Sequence, residues 1–204
     1  GTGTKRSGRR LLTVGTDCAT GKKYTALAIE REMKNRGMKA TFRATGQTGI
    51  MIAGAGIPID AVVSDFVSGA AEVLSPANDA DHWDVIEGQG AIFHPGYAGV
   101  TLGLIHGSQP DAIVLCHDAT RTTIDLWDGY PIQDLRTSID TYLHLGSLTN
   151  PRIRCVGISV DTSKLAAETR ERYLDDLSSR LGTPCVDPLV DGVGPIVDEL
   201  EEKE

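Results

Sequence analysis

The chain has 204 residues, 40% of them apolar and 24% charged, and a formal net charge of −8. That length suits one domain with a proper core, and the acidic balance excludes nucleic acid as the main partner, because phosphate backbones demand a basic face. No apolar run nears the roughly 18 residues of a membrane span, and the polar, basic amino terminus lacks the apolar core of a signal peptide.

Residues 1–10 contain no apolar side chain and read as a linker, followed by one domain over 11–204. A chain that opens on a linker is expected to be the carboxy-terminal part of something longer. Strands are expected at 11–15, 39–44, 84–87, 111–117, 153–160 and 184–187. Helices are expected at 21–36, 58–74, 100–107, 134–146, 163–181 and 193–202. The runs from Ala112 to Cys116 and from Val156 to Val160 are mostly apolar, as in strands covered on both faces. Leu174, Leu177 and Leu181 form one stripe among charges, and Gly182 and Pro184 end that helix. Alternating strands and helices predict an α/β fold: a doubly wound, mostly parallel sheet with helices on both faces, the three-layer sandwich of P-loop proteins. Asp198 to Glu204 read as a solvated acidic tail. Cys18, Cys116, Cys155 and Cys185 show no metal-ligand spacing, so reduced cytoplasmic thiols are expected.

Ligands in such sheets sit beyond the carboxyl ends of the strands, which selects the loops at 15–22, 44–57, 87–99, 117–131 and 160–163. The first reads as a Walker A type of phosphate-binding loop, with one residue more between its glycines than the usual four. Gly15 and Gly21 bracket Thr16, Asp17, Cys18, Ala19 and Thr20, and Lys22, Lys23 and Tyr24 open the next helix. Glycines let successive N–H groups turn toward an anion, the helix adds its positive end, and the lysine adds a point charge. A nucleotide hydrolase carries Ser or Thr at position 23 to hold magnesium. Lys23 stands there instead, so the loop is expected to hold a phosphorylated ligand and no metal, unless Thr25 or Asp17 takes over as metal ligand.

In the second loop Arg43, Thr45, Gln47 and Thr48 offer donors to a carboxylate or phosphate among four glycines. In the third, a strand delivers Glu87 where P-loop proteins carry an acidic residue, and His94 and Tyr97 follow. Glu87 is placed to bind metal, orient water or accept a proton, and His94 is either catalytic or structural. In the fourth, Arg121 is a natural clamp for a carboxylate or phosphate, while His117 either binds or packs. Asp65, among apolar neighbours, is read as lying on a wet helix face.

Taken in order, Leu-Thr-Val-Gly-Thr-Asp-Cys-x-x-Gly-Lys, Ala-Thr-Gly-Gln-Thr-Gly-Ile-Met-Ile, Ser-Asp-Phe-Val-x-Gly-Ala-Ala-Glu, Glu-Gly-Gln-Gly-x-x-x-His-Pro and Gly-Ser-Gln-Pro-Asp-Ala with His-x-x-x-Arg resemble a known domain. It is the carboxy-terminal P-loop domain of a bacterial and archaeal family long without a function. Some members are D-glutamate N-acetyltransferases, which act with a racemase in D-amino acid catabolism. The resemblance spans residues 10–195 and implies transfer of acetyl from acetyl-CoA to the amine of D-glutamate. It implies CoA phosphates on the P-loop, with Arg43, Gln47, Thr48, His117 and Arg121 toward the substrate and Glu87 or His94 as base. It also implies a Rossmann-like amino-terminal domain as partner, and a homo-oligomer is expected, with neither nucleic acid nor membrane. The more distant resemblance to dethiobiotin synthetase implies an ATP- and magnesium-dependent ligase or kinase. A non-catalytic nucleotide-binding domain is the third reading.

Overall fold

A computed structural model describes residues 1–201. Eight strands and seven helices follow one another as β1 (Arg9–Gly15), α1 (Lys22–Asn35), β2 (Ala40–Arg43), α2 (Gln47–Ala53), α3 (Val67–Leu74), β3 (Trp83–Ile86), α4 (Ala98–Ser108), β4 (Ala112–Asp118), β5 (Thr123–Ile124), β6 (Trp127–Pro131), α5 (Leu135–Ser147), β7 (Arg154–Asp161), α6 (Ala167–Leu181), β8 (Cys185–Val186) and α7 (Gly194–Glu201). Six strands form one sheet in the order β2-β3-β1-β4-β7-β8, every pairing parallel. The expected doubly wound α/β architecture is the one observed.

Alternation along each strand sends side chains to two cores. Leu12, Val14, Ile113 and Leu115 meet α3, α4, α5 and α6 on one face, where the Leu174, Leu177 and Leu181 stripe lies. Leu11, Val85, Val114 and Val156 meet Ala26, Ile29 and Met33 of α1 and Ile196, Val197 and Leu200 of α7 on the other. Strands buried on both faces need this continuous apolar content. Local signals fix the helix ends: the Asp134 carboxylate accepts from the N–H groups of Arg136 and Thr137 at the start of α5. Gly182, at φ 65°, closes α6 with its N–H on Ser178 O.

Several expectations need correction. The helix expected at 58–74 is helical only from Val67; two short 3-10 turns precede it, because the N–H groups of Ile57 and Ile59 bond to Ala44 O and Thr45 O and draw that stretch onto the end of β2. Asp65 is exposed on the second of these turns. The glycine-rich loop after β2 contains the helix α2, and the loop after β4 contains the β5–β6 hairpin. The acidic tail is ordered as far as it is described: Leu200 is buried, Asp198 pairs with Arg36 at 2.5 Å, and residues 202–204 lie outside the described residues.

The amino-terminal segment is tied to the body, and β1 starts at Arg9, so the expected linker is shorter by two residues. Arg10 is fully buried and its guanidinium donates to five main-chain carbonyls, those of Arg6, Ser7, Gly8, Ser75 and Pro76, at 2.9–3.4 Å. Arg6 adds bonds to Ser75 O and Gly107 O. Among the described residues, no helix is long and apolar enough to cross a membrane.

Candidate active site at the phosphate-binding loop

The loop from Gly15 to Gly21 leaves the carboxyl end of the central strand β1 and enters α1. Ala19 (φ 51°) and Gly21 (φ 91°) lie in the left-handed region, which turns the chain into the helix without a side-chain cap. Among the described residues, the first N–H groups of α1, from Lys22 to Tyr24, find no acceptor. Unpaired donors at a helix start form a ready anion cradle. A Cβ on Gly15 would lie 2.7–2.8 Å from Asp17 O, Lys22 Nζ and Thr20 Oγ1, so only glycine permits the curl.

Lys22 does not extend into solvent. It is 7% exposed, and its ammonium donates to Asp17 O at 2.6 Å. Burial lowers its pKa from the ordinary lysine value. The loop carbonyl is thus the partner of the lysine in this form. Beneath the loop, Tyr142 OH donates to Gly15 O at 2.7 Å and accepts from Ile92 N at 2.9 Å. Thr16 N donates to Cys116 O, and Thr16 Oγ1 contacts His117 Nδ1 at 3.0 Å. Burial pushes the pKa of His117 down to about 4, so the ring is neutral near pH 7.

Two flanks adjoin the loop. On the first, a cleft of about 250 Å³ is lined by residues 19–24 and by Glu87, Gly88 and Gln89. Glu87 leaves the end of β3, and its Oε2 accepts from Thr45 N at 2.9 Å and Gly46 N at 3.0 Å. Its Oε1 has no hydrogen-bond partner among the described residues. Thr45 Oγ1 donates to Glu87 O and accepts from Gln89 Nε2. Gln47 and Thr48 stand exposed at the start of α2. Gly49 packs so closely that a Cβ would lie 2.2 Å from Glu87 Oε2.

On the second flank, Asp17 is fully buried. Its Oδ1 accepts from Cys18 N at 2.6 Å, and its Oδ2 accepts from Arg121 Nη1 at 2.7 Å and Asp125 N at 2.8 Å. Arg121 Nη1 also donates to Cys18 O. His94 stacks on Tyr97 and meets the edge of Trp127. Its Nδ1 accepts from Gly96 N at 3.0 Å, which places the ring proton on Nε2, 4.0 Å from Asp17 Oδ1. The carboxylate, the Cys18 thiol and a His94 ring nitrogen lie within 4.8 Å of one another. Burial raises the pKa of the Cys18 thiol.

The site residues expected from sequence therefore separate. Residues 15–24, Glu87, His94 and Arg121 meet at the loop. Arg43 turns away, its Nε bonded to the buried Asp84 at 2.8 Å, and His117 supports the loop from below. Arg121, expected to clamp a substrate, clamps Asp17 in this form. Thr25, considered as a metal ligand, points inward to Ser159 Oγ at 2.7 Å. Sequence reasoning missed Tyr142, which sits in an ordinary amphipathic helix, and Gln89, whose only signal is its place two residues after Glu87.

An all-parallel doubly wound sheet with a glycine-turned anion cradle after its central strand defines a P-loop α/β protein. Residues 1–197 match the family described as a domain of unknown function (DUF1611_C), P-loop domain, and the chain belongs to that family. It is 52% identical to a D-glutamate N-acetyltransferase of Tritonibacter scottomollicae over 198 residues, 97% of this chain and 60% of that protein. It is 52% identical to one from a Pseudoalteromonas species over 202 residues, 98% of this chain and 60% of that protein. The chain thus spans about three-fifths of the length of the curated relatives it matches. A DUF1611 family crystal structure from Anabaena variabilis superposes with a TM-score of 0.91 at 36% identity, covering 97% of this chain and 58% of that one. Cobyrinic acid a,c-diamide synthase from Mycobacterium smegmatis, solved with an ATP analogue and magnesium, shares the fold alone, with a TM-score of 0.56, 13% identity and coverage of 94% and 92%.

Proposed function

We propose that the chain is the phosphate-binding part of an N-acetyltransferase that moves the acetyl group of acetyl-CoA to the amine of D-glutamate. The observation that carries this reading is the 52% identity to two D-glutamate N-acetyltransferases along nearly the whole chain. The rest of the relatives' length leaves room for a further domain, which we propose as the partner. Four free cysteines are in keeping with a reducing, cytoplasmic setting.

The chemistry fits the residues. CoA carries a pyrophosphate and a further phosphate, and the N–H groups from Lys22 to Tyr24 together with the Lys22 ammonium suit such groups. Acetyl transfer from a thioester needs no metal, in keeping with Lys23 at the magnesium-ligand position and Thr25 turned inward. The substrate ammonium must lose a proton before its nitrogen attacks the thioester carbon. Glu87 Oε1 is the group for that step, because Oε2 is held by two main-chain N–H groups while Oε1 is not. His94 is better suited to donating Nε2–H to the developing thioester oxyanion than to accepting a proton, because Gly96 N–H occupies the lone pair of Nδ1. Arg121 and the exposed Gln47 and Thr48 remain the groups for the substrate carboxylates.

Calorimetric titration of the chain with acetyl-CoA, and separately with ATP and magnesium, tests this reading. Acetyl-CoA is expected to bind in EDTA, with affinity lost in a Lys22→Met variant. Binding of ATP only, and only with magnesium, would instead support a ligase or kinase.

A further inference from the structure

Among the described residues, thirteen large apolar side chains are exposed. Two of them, Val73 late in α3 and Leu148 between α5 and β7, lie away from the phosphate loop's end of the sheet. The other eleven all follow the carboxyl end of a strand, before or in the first turn of α1, α3, α4, α5 or α7. Single exposed apolar residues are ordinary on a surface, whereas their segregation to one end marks an interaction face. The opposite end of the sheet presents charge instead, with Lys5, Arg6, Asp111, Arg152 and Arg154 lining its cavity.

This apolar rim is built onto the candidate site. Asp125 N donates to Asp17 Oδ2 at 2.8 Å, which ties the β5–β6 hairpin to the phosphate loop. Trp127 of that hairpin meets both His94 and Tyr130 edge to face. Leu126 is 93% exposed at φ 65°, a left-handed position that costs a residue with a Cβ and favours glycine or asparagine. A leucine held outward there adds nothing to this domain's own core. Met51, 83% exposed, stands on the same short helix as Gln47 and Thr48. The site also lacks a wall: its cleft of about 250 Å³ falls below the roughly 300–1,000 Å³ of small-ligand sites. Acetyl-CoA needs more room than that.

We propose that this rim is the docking surface for the further domain, the part of the relatives' length that this chain does not span, and that the docked domain closes the cleft with an apolar face of its own. The proposal rests on the reading that the full-length enzyme has such a domain. The relatives carry about two-fifths of their length beyond the matched region, which is enough for a domain. A domain tethered in the same molecule reaches the rim at high effective concentration, ahead of a second copy. Interface cores are depleted of charge and rich in aromatic residues and Met, which fits the rim and not the opposite end.

The test is backbone hydrogen exchange, read by mass spectrometry on the full-length enzyme without ligand. An isolated two-stranded hairpin is marginal, and β6 is exposed along its whole length, so the β5–β6 amides exchange fast unless something covers them. In the wild type they are expected to exchange about tenfold or more slowly than in a Met51→Glu/Leu126→Glu variant, with β1 and β4 equal in the two proteins. This chain alone, its folding checked by circular dichroism, is expected to match the variant. Rates within about twofold in wild type and variant, or slow exchange of the hairpin in this chain alone, overturn the proposal. Loss of the protection on about hundredfold dilution of the full-length enzyme also overturns it, because the cover would then be a second copy. No acetyl-CoA enters these measurements, so its failure to bind would reject the transferase reading and leave the docking surface standing.

Discussion

The two ends of β1 treat their hydrogen-bonding groups in opposite ways. At its start, the buried Arg10 directs its guanidinium at five carbonyls and knits the amino-terminal segment to the end of α3. At its finish, the N–H groups from Lys22 to Tyr24 are left without acceptors among the described residues, while the Lys22 ammonium and the Arg121 guanidinium beside them are engaged internally. The first arrangement is structural because it is saturated on the protein. The second is a candidate binding site because its main-chain donors are withheld. The same contrast divides the carboxylates: Asp17 is fully occupied, whereas Glu87 keeps one oxygen unpaired.

The comparison is broken most directly at Arg10. Replacing it with Met takes a donor from five carbonyls, of which Ser75 O and Ser7 O keep another in Arg6 Nε and Asn78 N, and we expect a loss of about 4 kcal/mol in unfolding free energy, read as a lower denaturant midpoint at unchanged slope. A loss under about 1 kcal/mol would show that water replaces the arginine there.

The next effect is on pH. The folded-state pKa of His117, depressed by burial to about 4, lies below its ordinary value, so the unfolded chain takes up the proton first. Stability from this group is complete above about pH 6.5 and is lost as pH falls toward 4, by at most about 3 kcal/mol. Unfolding free energies measured across that window for wild type and His117→Gln are expected to converge at the acid end. Parallel curves would mean that His117 titrates normally.

Lys22→Met sharpens the difference between a withheld and a saturated group. Removing a buried ammonium that bonds only to its own loop should leave stability unchanged or improved. Affinity for acetyl-CoA should fall about a hundredfold, as for the loss of a charge-assisted contact to phosphate. A large loss of stability with affinity retained would make the lysine a structural strut.

Arg121→Lys has the smallest expected effect and tests which category Arg121 joins. Lysine cannot reproduce the arginine's joint contact with Asp17 and Cys18 O. A loss of about 1–2 kcal/mol in stability is expected, with KM for D-glutamate rising about tenfold in the full-length enzyme. Altered KM at wild-type stability would place Arg121 wholly on the substrate, and altered stability at wild-type KM wholly on the loop.

The sequence by itself determined the architecture and the location of the phosphate loop, because both rest on local physics. Runs apolar on both faces can only be buried strands of a covered sheet, and Gly15, Gly21 and Lys22 act through the backbone of the residues beside them. It also determined that Glu87 ends a strand next to that loop. Only the tertiary structure decided what the long side chains do. Arg43, Arg121, Lys22 and Thr25 each carry groups that suit a ligand, and each is bonded to protein in this structure. Their partners Asp84, Asp17 and Ser159 are brought alongside by sheet order and loop curvature, which no local pattern encodes. The same reason hid Tyr142 and the role of Arg10: a hydroxyl or guanidinium acquires its task from the backbone that long-range packing sets against it.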